Sequence, residues 1–72
     1  MPTLDKYQRY QIKIALCTAA VSRLPSLPAY RAADMEGDIA GSLDDSSLLD
    51  RARDLGITRS SLPSDMFDGV PI

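Results

Sequence analysis

Apolar residues recur at Tyr7, Tyr10, Ile14, Cys17, Val21 and Leu24, separated alternately by three and four positions. This is the a/d stripe of an amphipathic helix, sustained for about two and a half heptads. Ile12, Leu16 and Ala20 widen the stripe on one flank, while Gln8, Arg9, Gln11, Lys13 and Thr18 fall mostly elsewhere. Thr3 is the predicted N-cap. Pro25 is the predicted stop, because the residue before a proline disfavours helix. A first helix is therefore predicted over about 4–24.

The rest of the chain reads as shorter helices. Pro25 and Pro28 make a corner, with Ser26 or Leu27 as the next cap and Pro28 in the first turn. The second helix is predicted over about 28–40, with Ala29, Ala32, Met35 and Ile39 facing inward. Gly37 leaves two outcomes open, a close helix crossing or an early end. Ser42, followed by Asp44 and Asp45, predicts a third start, and Leu48, Leu49, Ala52 and Leu55 give its inner face over about 43–55. Gly56 followed by Ile57 predicts a left-handed stop with a hydrophobic contact behind it. Residues 59–68 are expected to form a short turn or helix, with Leu62, Met66 and Phe67 covering a helix seam. Residues 69–72 form a tail that is either frayed or an apolar strap. No stretch alternates in polarity as a half-buried strand does. The expected fold class is all-α, a single small domain over 1–72 built as a three-helix bundle with a short C-terminal turn.

Size sharpens the reading. A chain of 72 residues buries only about 60% of its unfolded surface. The long stripe therefore predicts a second copy or another protein against Tyr7, Tyr10, Ile14, Cys17, Val21 and Leu24, and a homodimer is the expected state. Charge is divided. Residues 1–33 set Lys6, Arg9, Lys13, Arg23 and Arg31 against Asp5 alone, and residues 34–72 set nine acids against Arg51, Arg53 and Arg59. The two halves either attract within one fold or meet different partners.

Composition removes most chemistry. With no His, a Ser-His-Asp or Cys-His site and a His-based zinc site are ruled out. One cysteine makes no internal disulfide. On the apolar stripe, Cys17 reads as a buried small hydrophobe. Asp34, Glu36 and Asp38 alternate like cation ligands, but an EF-hand loop started at Asp34 puts Ile39 where the turn glycine belongs. The acidic stretch is thus expected to be solvated, with no metal, no cofactor and no enzymatic activity. Lys6, Arg9 and Lys13 precede the short apolar run from Ile14 to Val21, which resembles a signal sequence. No small-x-small cleavage site follows it, and Leu16 stands where a lipoprotein box needs Gly or Ala. The expectation is a cytoplasmic protein with no membrane span.

Ala52, Gly56, Ile57 and Leu62, with Arg59, Ser60 and Ser61 after the turn, resemble part of a helix-turn-helix. That resemblance implies DNA contact by Arg59, Ser60 and Ser61 within residues 48–62. Pro63 inside the second helix and the acids Asp65 and Asp68 depart from the pattern, and the acidic half opposes phosphates. The leading expectation is a small regulator acting through protein–protein contact, as inhibitor, adaptor or anti-activator. The alternatives are a DNA-binding regulator and a small structural subunit of a larger assembly.

Overall fold

The computed structural model describes residues 3–72, and every regular element among them is helical. Helices α1 (Lys6–Arg23), α2 (Ala29–Ser42) and α3 (Asp45–Asp54) are followed by two single 3-10 turns, Arg59–Ser61 and Ser64–Met66. α1 and α2 run antiparallel. Arg9 reaches the Leu43 carbonyl, Lys13 lies beside Gly37, and the Cys17 thiol meets the Ala33 carbonyl. α3 lies against α1 more sparsely.

Each helix starts on local chemistry. The cap of α1 is Asp5, not Thr3. The Asp5 carboxylate accepts from the Gln8 N–H at 2.8 Å, and the Asp5 N–H donates to the Gln8 side chain at 2.9 Å. Such a reciprocal box needs Glu or Gln three residues on, and from Thr3 that position is Lys6. Pro28 itself caps α2 without a side-chain bond, its carbonyl accepting from Arg31 and Ala32. α2 continues through Gly37, where an added Cβ would stand 3.3 Å from the Lys13 Cε and 3.8 Å from the Cys17 Sγ. The close crossing, rather than an early end, is realised. α3 is capped by Asp44, which accepts from the Ser47 N–H at 2.8 Å, and Ser42 instead ends α2. At its far end Gly56 takes φ +78°, and the Ile57 N–H donates to the Ala52 carbonyl at 2.8 Å. That bond closes a Schellman turn with Ile57 buried behind it.

The inward faces differ from the predicted ones. α1 buries Ile12, Leu16 and Ala20, the flank of the stripe rather than its centre. α2 buries Ala32, Glu36 and Ala40, leaving Ala29, Met35 and Ile39 exposed. Ala32 and Ala40 flank the Arg51-paired Glu36 on this face, and the larger apolar groups of α2 lie outward. α3 contributes Leu48, Leu49 and Ala52. The segment beyond α3 closes the core with Ile57, Leu62 and Phe67, all buried. Val70 and Ile72 pack against that core, and Arg53 holds the Pro71 carbonyl at 3.2 Å, so the tail is a strap. The Gln8 amide ties α1 to the Met66 carbonyl at 2.6 Å. Total accessible surface is 4521 Å², against about 4,400 Å² for a compact monomer of this mass. The chain covers its own core, and the stripe on α1 is a second, outward apolar face.

Candidate interaction surface

Leu16 marks the buried side of α1, and Ile14 lies about 160° around the helix from it. The predicted stripe therefore looks outward. Tyr7 is 62% exposed, Tyr10 58%, Ile14 43% and Leu24 37%. Cys17 and Val21 are half-buried. The Lys6 ammonium sits 5.2 Å from the centroid of the Tyr7 ring, which orders both at the helix start. The Cys17 thiol donates to the Ala33 carbonyl at 3.3 Å. Burial pushes the thiol pKa up, with nearby Lys13 opposing, so Cys17 is protonated at neutral pH. Here it fills space beneath α2.

α2 adds residues to this surface that sequence reasoning missed. Tyr30, Asp34, Gly37, Asp38 and Gly41 follow a three-and-four spacing along α2, and Gly37 touches the α1 side chains. Among the described residues Tyr30 is the most exposed large hydrophobic one, at 71%. A shallow hollow of about 200 Å³ opens between the helices, lined in part by Tyr10, Lys13 and Gly41. The three-and-four spacing was the available signal, but it was spent on Met35 and Ile39. A larger open groove of about 380 Å³ runs along the other margin of Ile14, between α1 and the Leu55–Gly56–Ile57 turn.

The charged groups sort into two populations. On the α3 side most are engaged. Arg51 forms a forked pair with the buried Glu36 at 2.9 and 2.6 Å, so Glu36 is no part of a solvated stretch. The pairing holds the Arg51 guanidinium pKa above its ordinary value. Asp45 accepts from the Leu4 N–H at 2.9 Å and from Arg9 at 2.5 Å. Those two donors, the Leu4 N–H first, hold its carboxyl below the usual carboxylate range. Asp44 is likewise lowered by its capping bond from Ser47. On the α1–α2 face, by contrast, Lys13, Asp34 and Asp38 are exposed, and none joins an ion pair among the described residues.

The residues carrying the helix-turn-helix resemblance sit differently from that motif. Arg59, Ser60 and Ser61 make one 3-10 turn rather than a second helix, and Arg59 is bonded to Asp68. Among the described residues, no three His, Cys, Asp or Glu side chains are grouped to hold a metal ion. Nor, among them, is any helix long and apolar enough to cross a membrane. No protein-family model, curated protein or solved structure matches this chain.

Proposed function

We propose that this chain is a small non-enzymatic regulatory protein of the cytoplasm, acting through protein–protein contact and associating with itself through the outward face of α1. One observation carries the reading. The core is complete without Tyr7, Tyr10 and Ile14, yet these large residues stand exposed on one helix face. Tyrosines with apolar neighbours are the side chains enriched at protein interfaces. A DNA reader would need a helix after Gly56 to enter a groove, and a single 3-10 turn occupies that place.

Light scattering tests the reading. The wild type is expected at twice its monomer mass, and Ile14→Asp at monomer mass with its helicity intact. A wild type that stays at 7.8 kDa at millimolar concentration removes self-association. An Ile14→Asp variant with the same mass as a dimeric wild type removes α1 as the contact.

A further inference from the structure

We infer that the second copy docks in one particular register, with α1 of each protomer lying antiparallel on α2 of its partner across a two-fold axis parallel to the helices. The inference rests on the self-association proposed above and adds which helix meets which. Two in-plane two-fold axes bring this face onto itself with the helices of the two copies aligned. An axis across the helices stacks α1 on α1 and α2 on α2, setting Lys6 and Lys13 toward their own copies and Asp34 and Asp38 toward theirs, with only Arg31 on α2 to offset the acids. An axis along the helices exchanges the pairing and sets basic α1 against acidic α2 on both sides. Opposite charge favours the second arrangement and like charge disfavours the first.

The heights along the hairpin make the pairing specific. Lys13 lies level with Gly37 of its own chain, and Cys17 with Ala33. A two-fold axis along the helices preserves those heights. It therefore places Lys13 of one protomer over Gly37 of the other, between the exposed carboxylates of Asp34 and Asp38. Like Lys13, neither carboxylate joins an ion pair among the described residues, so all three charges are available to a second copy. The same register sets Val21 near the exposed Tyr30, and Tyr10 over Gly41, whose missing side chain leaves open space. α1 has 18 residues and α2 has 14, so the two helices side by side offer a footprint of about 500 Å² before side-chain relief. That lies at the small end of specific interfaces, below the roughly 800 Å² per partner of a standard one. The product is a four-helix antiparallel arrangement.

The test mixes two variants, Lys13→Glu and the double variant Asp34→Lys/Asp38→Lys, at a concentration where the wild type is dimeric by sedimentation velocity. Each variant alone faces like charge across both copies of the contact and is expected to dimerise at least about tenfold more weakly. Mixed in equal amounts, the two restore opposite charge at both contacts, and a heterodimer of wild-type affinity is expected. All altered positions are exposed, and circular dichroism on each variant checks that helicity is unchanged. Variants that dimerise alone as well as the wild type overturn the register while leaving self-association standing. Variants that fail alone and also fail when mixed overturn the charge pairing. A monomeric wild type overturns both this inference and the self-association beneath it.

Discussion

Leu16 and Ile14 are two positions apart on α1 and face opposite surroundings, so truncating each weighs the two faces of the helix directly. Leu16 is fully buried, with no exposed surface, whereas Ile14 is 43% exposed. Leu16→Ala removes three carbons from a closed core and leaves a cavity within it. The expected cost is about 3 kcal/mol, within the 2–5 kcal/mol range for such sites. Ile14→Ala removes side-chain atoms that are already close to half in water, and alanine is the better helix former. Its expected cost is below about 1 kcal/mol. For a domain of this size each kcal/mol moves the Tm by roughly 4–8 °C. Leu16→Ala should therefore melt about 12–24 °C lower, and Ile14→Ala within a few degrees of the wild type. The assay is thermal and urea unfolding followed by far-UV circular dichroism, at dilutions where self-association does not contribute. A cost for Ile14→Ala equal to or above that of Leu16→Ala would refute the assignment of faces, and the stripe would then be core.

Other consequences concern the charges and the glycines. Glu36→Gln should destabilise the fold by about 2–3 kcal/mol in urea unfolding, because Arg51 loses its forked partner in a partly buried site; an unchanged midpoint would contradict the pair's role. Gly41→Ala should stabilise by up to about 1 kcal/mol, since the added methyl meets open space within a helix. Gly56→Ala should instead lower stability by about 1 kcal/mol or more, because φ +78° is unfavourable for any residue with a Cβ. Asp45 and Asp44 have folded-state pKa values below their ordinary ones, so the stability they add is present above that ordinary value near 3.8. It is lost as pH falls through their lowered pKa values. Asp45→Asn should flatten the acid limb of the stability–pH curve and also weaken the fold at neutral pH; an unaltered acid limb would show that Leu4 and Arg9 do not hold this carboxylate.

The all-helical character was legible because it depends on local spacing, proline placement and the Gly56–Ile57 stop. Which face of α1 is core was not. The heptad stripe contains six apolar positions, including two tyrosines, and outweighed Ile12, Leu16 and Ala20, which repeat at intervals of four. What decides the matter lies far along the chain, where the segment from Leu62 to Phe67 joins the core and its Met66 carbonyl meets Gln8 of α1. No local pattern announces that contact. Glu36 was read as solvated because its neighbours Asp34 and Asp38 are, and only the fold brings Arg51 within reach of it. Helical spacing sets Met35 and Ile39 inward with Ala29 and Ala32, whereas the fold buries Ala32, the Arg51-paired Glu36 and Ala40 on that helix. The outward stripe of α1 and its neighbours on α2 had the reverse fate. Tyr7, Tyr10 and Ile14 group as one apolar stripe from spacing alone, but Tyr30, Asp34 and Asp38 lie beside that stripe only in the antiparallel hairpin.

The central claim is that α1 has two apolar faces, one closed inside the monomer and one that meets a second copy. Amide chemical shifts on diluting the isotope-labelled protein from about 1 mM to about 10 µM test it most directly, a range that spans the dissociation of a micromolar dimer. Shifts confined to residues around Tyr10, Ile14, Val21 and Tyr30, with Ile12, Leu16 and Phe67 unmoved, are the expected result. Spectra that do not change with concentration, or changes centred on residues 57–67, would contradict it.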